Sequence, residues 1–310
     1  MWEDRLMERE ALGTLQAADA LVKVPWAQPL LASARPTVEW VREKFMTEGV
    51  HVGRQPEPHE QASLFEIRFA RALHEAGTVA GYEYPTGVGG TSVDFGIGAP
   101  ATWLAELVCL RESDAIRAAK SISDETGNSW TMTLETGKRS PVTGEPRPEE
   151  SPEAEYIKAE ERIGMKVFDG KRAVKFPERG PKYNLIVVDG RGVLGGGGDH
   201  GDWGHLTYGA VGRHPAQIHA WTDPKTGIRA PILGLYEANN PTKSARVIRE
   251  RVHAIAFINE RTYAVGEIKQ GLYICANPTL FRDEEAARLA LATFPLGSPA
   301  PFGAAWPAVR

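Results

Sequence analysis

Two carboxylates interrupt apolar segments near the first third of the chain. Asp94 lies in the apolar run 92–97, and Glu106 lies in the apolar run 102–110. Ionised carboxylates are rarely buried unless they are paired or bind a cation. Because two such groups on adjacent strands would repel each other, a divalent metal ion is the simplest way to hold them together. These residue types therefore point to oxygen ligation of a hard cation.

The two runs predict neighbouring strands. A Gly-Ala-Pro segment separates them, and apolar runs of this length bounded by Gly and Pro are typical of buried strands joined by a tight loop. Alternation places Asp94 on the face opposite Val93, Phe95 and Ile97. The run that holds Glu106 is apolar on both faces, so we expect it in a sheet covered on both sides.

The segment before these strands adds a third carboxylate. Residues 61–76 predict a helix with an apolar stripe that includes Phe65 and Phe69, and Gly77 is expected to end it. Glu66 lies on the edge of this stripe. A lone glutamate in such a place is more often a half-exposed edge residue, so its interest depends on Asp94 and Glu106.

The chain divides into three parts. Residues 1–55 predict a helical extension, with helices near 2–22 and 37–47 separated by Pro25, Pro29 and Pro36. Residues 56–190 predict an α/β core with a further helix at 112–121, a flexible insertion at about 123–152, a helix at 152–167 and a strand at 184–189. Residues 191–310 predict mainly extended pieces and loops that complete or pack on the core sheet, with strands near 230–236, 254–259 and 271–276.

The composition and charge of the chain limit the classes of protein to which it can belong. The 310 residues are 42% hydrophobic and 25% charged, which is ordinary for a globular protein with one large core. The formal charge of −4 gives no global nucleic-acid signal, so any phosphate-binding surface must be local. Two cysteines without a CxxC pattern, a charged N-terminus and no long apolar run lead us to expect a cytoplasmic protein without a membrane span.

The order of elements and acids resembles the PD-(D/E)xK, or restriction-endonuclease-like, nuclease superfamily. Three segments carry the resemblance: FEIRFA with Glu66, SVDF with Asp94 and WLAELV with Glu106. The resemblance covers residues 60–189. It implies an α-β-β-β-α-β core in which a mixed central sheet is flanked by helices.

The same resemblance implies a metal-dependent nuclease. In that superfamily Mg²⁺ or Mn²⁺ is bound by positions that match Asp94, Glu106, the main-chain carbonyl of Leu107 and Glu66. Hard oxygen ligands of this kind suit Mg²⁺, and an ion held there can make a water acidic enough to attack a phosphodiester. The expected partner is nucleic acid, DNA first, contacted through local basic patches.

One departure from the family pattern matters for activity. The family places a lysine two residues after the glutamate, where this chain has Val108. Among the nearest cations, which are Arg111, Lys120, Lys158 and Lys166, we nominate Lys166 as the replacement catalytic residue. The alternative is a catalytically impaired binding or assembly module with the same fold, and gained cleavage in Val108→Lys would point to a site that lacks only this lysine.

Two further groups of residues could bind a metal or phosphate. Asp199, His200, Asp202 and His205 could ligate a metal, although ligands in a Gly-rich loop are usually solvated. Two basic groups, one within 171–182 and one within 243–253, could contact phosphates or could be ordinary solvated faces. A third interpretation of the whole chain is an α/β protein whose carboxylates never meet, each satisfied by backbone amides or an arginine.

Overall fold

A six-stranded mixed sheet, flanked by helices, lies at the centre of the computed structural model of this chain. The structure describes residues 2–47, 58–111, 120–124, 130–134, 152–170, 172–192, 200–209, 220–222, 226–258, 268 and 272–296. The helices are α1 (Trp2–Leu21), α2 (Gln28–Thr47), α3 (Pro58–Glu75), α4 (Pro152–Met165), α5 (His200–Tyr208), α6 (Lys243–Arg251) and α7 (Glu284–Leu291). The strands are β1 (Ala80–Pro85), β2 (Ser92–Gly98), β3 (Ala101–Arg111), β4 (Lys120–Asp124), β5 (Trp130–Leu134), β6 (Tyr183–Gly192), β7 (Ala220–Thr222), β8 (Arg229–Pro231), β9 (Ala254–Ile258) and β10 (Leu272–Ala276).

The strand order in the large sheet is β1-β2-β3-β6-β9-β10. The first three strands are antiparallel neighbours, β3, β6 and β9 run parallel, and β10 returns antiparallel to β9. Parallel strands need covered faces, which is why residues 185–188 of β6 and all of β9 are apolar with no alternation. Two small hairpins, β4–β5 and β7–β8, lie outside this sheet. The predicted α/β class, with a mixed sheet flanked by helices, is confirmed.

Apolar side chains fill a separate core on each face of the sheet. On one face, helices α1 to α3 and α7 pack against residues such as Phe95 and Trp103. On the other face, α4, α5 and α6 pack against residues such as Val108 and Ile186. Each fully buried side chain of this size contributes roughly 1.5–3 kcal/mol to folding. The sheet is therefore held from both sides, and the positions of its side chains are fixed.

Helix α3 forms as its sequence pattern predicts. Phe65, Phe69 and Leu73 are buried, and the rings of Phe69 and Phe95 pack with centroids 5.3 Å apart. Gly77 follows the helix at φ +68°, a left-handed conformation that glycine adopts without strain. The contact between the rings of Phe69 and Phe95 fixes the rotation of α3 against β2 and thereby the direction in which Glu66 faces.

Several predicted elements differ from the structure. Pro36 lies inside α2 instead of ending it, since the buried face made by Leu30, Ala34 and Val41 offsets the roughly 3 kcal/mol that an interior proline costs. Most of the predicted helix at 112–121 lies outside the described residues, and its last two residues belong to β4. The predicted insertion at 123–152 contains β5, which pairs with β4.

The C-terminal part holds more helix than its sequence pattern indicates. Helices α5, α6 and α7 lie within 191–310, which was predicted to be mainly extended. The predicted strand at 230–236 is reduced to the end of β8, and Leu235 and Tyr236 reach the core from a turn instead. Strands β9 and β10 join the central sheet. Among the helices that the structure describes, none combines the length and the apolar character that crossing a membrane requires.

Candidate active site

The pairing of β2 with β3 sets Asp94 against Glu106. Phe95 pairs with Ala105 and Gly96 with Leu104, and the same register continued by one residue brings Asp94 opposite Glu106. Directly opposed residues of an antiparallel pair have Cβ atoms about 4.5–5.5 Å apart, and like charges in such a pair destabilise it. The two carboxylates are therefore neighbours by strand geometry alone.

Asp94 is held in this position by the backbone of β3. The N–H of Leu107 donates a hydrogen bond of 2.6 Å to Oδ2 of Asp94. Burial raises the pKa of Asp94 to about 7, and the negative charges of Glu106 and Glu66 add to the rise. Lys166 and the amide of Leu107 oppose this shift without cancelling it. A carboxyl with such a pKa lacks full compensation for its charge in the free protein.

Glu66 reaches the same place from helix α3. It is half-buried, and its Oε2 accepts a hydrogen bond of 2.9 Å from the hydroxyl of Tyr82 on β1. Burial raises the pKa of Glu66, and the charge of Glu106 contributes to the rise while Tyr82 and Lys166 oppose it. Glu66, Asp94 and Glu106 are thus close enough to perturb one another, so the structure brings together the three predicted carboxylates.

Glu106 is the most deeply buried of the three acids. Its side chain is 1% exposed, and its Oε1 accepts from Nζ of Lys175 at 2.7 Å and from Nζ of Lys166 at 3.2 Å. Its other oxygen, Oε2, is buried without a hydrogen-bond partner among the described residues. A buried carboxylate oxygen without a donor is costly, and one directed into a site is a ready acceptor for a cation.

Lys166, the nominated cation, follows the end of α4 and contacts the acids. Burial by itself lowers the pKa of Lys166, but the charges of Glu106, Asp94 and Glu66 outweigh this effect and raise it. The ammonium group is therefore held in its charged form at neutral pH. The side chain is 35% exposed, so this end of the site reaches the protein surface.

Among the described residues, the other candidate positions for a cation have different surroundings. Val108 is buried in the core under α4, so a lysine at this position would bury a charge among apolar side chains. Lys158 pairs with Glu155, and Arg111 donates to Oε1 of Gln61. The side chain of Lys120 lies outside the described residues. Val108→Lys is consequently a poor test of a missing lysine.

A metal ion fits part of this arrangement. Among the described residues, no group of three or more His, Cys, Asp or Glu side chains has the arrangement of a ready-made metal site. One oxygen of Asp94 is taken by Leu107 and one oxygen of Glu106 by two lysines. Oε2 of Glu106 has no hydrogen-bond donor among the described residues, and it lies next to Asp94 and Glu66, whose pKa values are raised. A hard cation would bind to this oxygen and to the neighbouring carboxylates.

The histidine cluster lies on a helix and not in a loop. His200, Asp202 and His205 belong to α5, and Asp199 lies outside the described residues. His205 is buried, and its ring packs edge-on against Tyr156, whose hydroxyl donates to Asp202. The prediction of a loop was therefore wrong for these residues, and of the two histidines His205 is buried whereas His200 is exposed.

The sequence patterns missed three groups at this site. The sequence pattern places Lys175 only within a basic group, and it indicates no role for Tyr82 or for the amide N–H of Leu107. A usable signal existed for Lys175, because the Asp169-Gly170 dipeptide between apolar residues is typical of a hairpin turn that would return the chain to the sheet. No comparable signal marks Tyr82.

Comparison of the chain with protein-family models, with curated proteins and with solved structures gives no match.

Proposed function

We propose that this chain is a Mg²⁺- or Mn²⁺-dependent phosphodiesterase that acts on nucleic acid, with DNA as the first substrate to test. We also propose that its core is of the restriction-endonuclease-like type. The order α3-β1-β2-β3-α4-β6, interrupted by the β4–β5 hairpin, supports this assignment. So does the change from antiparallel to parallel pairing at β3, the strand that carries Glu106.

One observation carries the proposal. Glu106 is buried at the meeting point of a helix and two strands, and its Oε2 has no hydrogen-bond donor among the described residues. Beside it lie Asp94 and Glu66, whose raised pKa values indicate incompletely compensated charge. Buried carboxylate oxygens usually accept a hydrogen bond, so an oxygen without a donor beside two further acids calls for an explanation. Unmet demand for positive charge is the signature of a cation site.

Each residue then has a defined task. Glu66, Asp94 and Glu106 would hold the ion, with Tyr82 orienting Glu66 and Leu107 orienting Asp94. Bound Mg²⁺ or Mn²⁺ would make a water more acidic and offset the charge that develops on a phosphate during in-line attack. Lys166 keeps its proton and reaches the surface, so its role is to attract and position the phosphate oxygens.

The basic residues divide into those that bind the protein's own backbone and those that are available for other contacts. Arg179, Arg249 and Arg251 donate to backbone carbonyls of Leu280, Glu237 and Phe176, respectively. Lys182 lies over the ring of Tyr84, and Lys243 lies over the ring of Phe168. The exposed Arg172 and Arg246 are available for contacts with phosphate. Binding through these few cations would be weak and salt-dependent.

A second candidate function rests on the lysines themselves. Lys166 and Lys175 already occupy one oxygen of Glu106, and Val108 stands where the family has its lysine. A chain of this kind could bind nucleic acid without cleaving it, with the ammonium groups replacing the ion. This alternative predicts binding that is unaffected by chelator and no turnover under any metal.

Cleavage of plasmid and of single-stranded DNA separates the two functions. We expect nicking or cleavage with Mg²⁺ or Mn²⁺, no reaction with chelator, and loss of at least about 100-fold in Glu106→Ala. Glu160→Gln, which changes a buried carboxyl on α4 away from the three acids, is the matched control and should retain full activity. Cleavage that persists in Glu106→Ala, or that never occurs with either metal, would overturn the nuclease assignment.

A further inference from the structure

The two lysines on Glu106 are held in different ways. Lys166 follows the last turn of α4 and is 35% exposed, whereas Lys175 is 19% exposed and makes the shorter contact, 2.7 Å against 3.2 Å. Lys175 also belongs to a short antiparallel hairpin, in which Phe168 and Val174 form a bridge. The N–H of Lys175 donates to the carbonyl oxygen of Val167 at 2.9 Å.

This hairpin is fastened to the loop that leads into β2. The hydroxyl of Thr91, three residues before Asp94, lies 3.2 Å from the carbonyl oxygen of Lys175 and 2.8 Å from that of Val88, and it can donate to either. Thr91 is itself buried, and its Oγ1 lies 2.7 Å from that of Thr86 across the β1–β2 turn. The backbone of Lys175 is therefore fixed relative to both Asp94 and Glu106.

The geometry points to Lys175 as the residue that orients Glu106 for its cation: it takes Oε1 and thereby leaves Oε2 turned into the site. This inference rests on the proposed function, because it supposes that Oε2 binds a metal ion. Lys175 is a positioning residue in this account, since it acts through Glu106. Partners of metal ligands act in this way in many sites, and their loss typically weakens metal binding by about 10- to 100-fold.

Charge alone predicts the opposite result, which makes the inference testable. Removing a positive charge beside a cation site reduces repulsion and should strengthen metal binding. If Lys175 orients Glu106, its replacement must instead weaken binding. The sign of the change in affinity therefore separates positioning from simple electrostatic influence.

The test is a calorimetric titration of the full chain with Mn²⁺ alone. Lys175→Met should weaken Mn²⁺ binding by about 10-fold or more, and Lys175→Arg should stay within about 3-fold of wild type. Lys166→Met, which removes the longer contact and a like charge, should leave the affinity unchanged or increase it. Thr91→Val removes the contact with the hairpin together with the hydroxyl contacts to Thr86 and Val88. It should weaken binding by about 3-fold and serves if Lys175→Met does not fold.

The outcomes separate this inference from the proposed function. Wild type that binds no Mn²⁺ overturns both. If the wild type binds Mn²⁺ and Glu106→Gln does not, the metal site stands. If Lys175→Met and Thr91→Val then bind Mn²⁺ as tightly as the wild type or more tightly, the role of Lys175 is overturned. Equal weakening in Lys175→Met and Lys166→Met also overturns it, because orientation would then not belong to Lys175.

Discussion

The backbone N–H of Leu107 donates a 2.6 Å hydrogen bond to Oδ2 of Asp94, and this bond ties β2 to β3 one residue beyond Glu106. It holds an acid directly across from another acid, an arrangement that strand pairing alone would disfavour. The protein therefore maintains this contact at a cost in stability. Such a cost is typical of sites in which function, and not folding, selects the residue.

The pH dependence of stability should reveal this cost. Because burial raises the pKa of Asp94 from 3.8 to about 7, the folded state holds a proton that the unfolded state releases. The stability of the metal-free protein should therefore fall as pH rises from about 4 to about 7, by roughly 3–4 kcal/mol through Asp94. Asp94→Asn, which can still accept from Leu107, should be more stable than wild type at about pH 8 and should lose this advantage at about pH 4.

Urea unfolding with chelator present, at both pH values, measures the difference. An advantage of the same size at both pH values would show that the carboxyl is not the source of the cost.

Tyr82→Phe tests the support of Glu66. The substitution removes one hydroxyl, which donates to Oε2 of Glu66 at 2.9 Å, and keeps the ring that packs against Phe95. We expect Mn²⁺ affinity to fall by about 10-fold with little change in the free energy of unfolding. Tyr84→Phe, on the same strand, is the control, because the ring of Tyr84 packs on Gly96 instead. Equal affinities of the two variants would remove Tyr82 from the site.

Glu160 on α4 offers a prediction that is independent of the metal. Its Oε1 is buried and has no hydrogen-bond partner within the described part of the chain, and burial together with the charges of Glu237 and Glu161 raises its pKa to about 9. Its contribution to stability should therefore be lost progressively as pH rises from about 4.5 to about 9. Glu160→Gln should be more stable than wild type by at least about 2 kcal/mol at about pH 8, and equal to it near pH 4.

Urea unfolding at both pH values measures this difference. The control is Glu161→Gln, which changes an exposed neighbour of Glu160 and should shift the midpoint of urea unfolding little at either pH. A Glu160→Gln protein that is less stable than wild type at about pH 8 would contradict the raised pKa.

Gly96→Ala tests the packing of β1 on β2 beside Asp94. A Cβ at this position would come within 2.3 Å of the ring of Tyr84, which covers this part of the strand. We expect a loss of about 1–3 kcal/mol in unfolding free energy, because the ring would have to move. Gly170→Ala, where the added Cβ meets nothing within 4 Å, should have a much smaller effect. Equal thermal midpoints for the two variants would contradict the close packing of Tyr84.

The elements around the acids follow from strong local patterns. The apolar stripe of α3, the apolar runs of β2 and β3 and the buried strand β6 identify these elements, and three carboxylates mark themselves by interrupting them. Lys166 could be nominated because it closely follows the buried Ile163 on α4. These features are local in sequence, so a period of two or of 3.6 residues is enough to expose them.

The rest depends on contacts between distant residues. Lys175 lies 69 residues from Glu106, and only the turn of its hairpin directs it to the sheet. Tyr82 and Tyr84 would share a face in a regular strand, but Glu83 adopts φ +47° and they join opposite cores. Helix α5 contains two glycines and forms through burial of Trp203 and Leu206, for which local propensity gives no signal.

The most direct test of the central claim counts Mn²⁺ ions bound to the full chain by electron paramagnetic resonance. Wild type and Glu160→Gln should each bind Mn²⁺ at this site, while Glu106→Gln should bind it at least about 10-fold more weakly, because it loses a charged ligand. Binding by all three proteins with equal affinity, or by none of them, would contradict a cation site built on Glu66, Asp94 and Glu106.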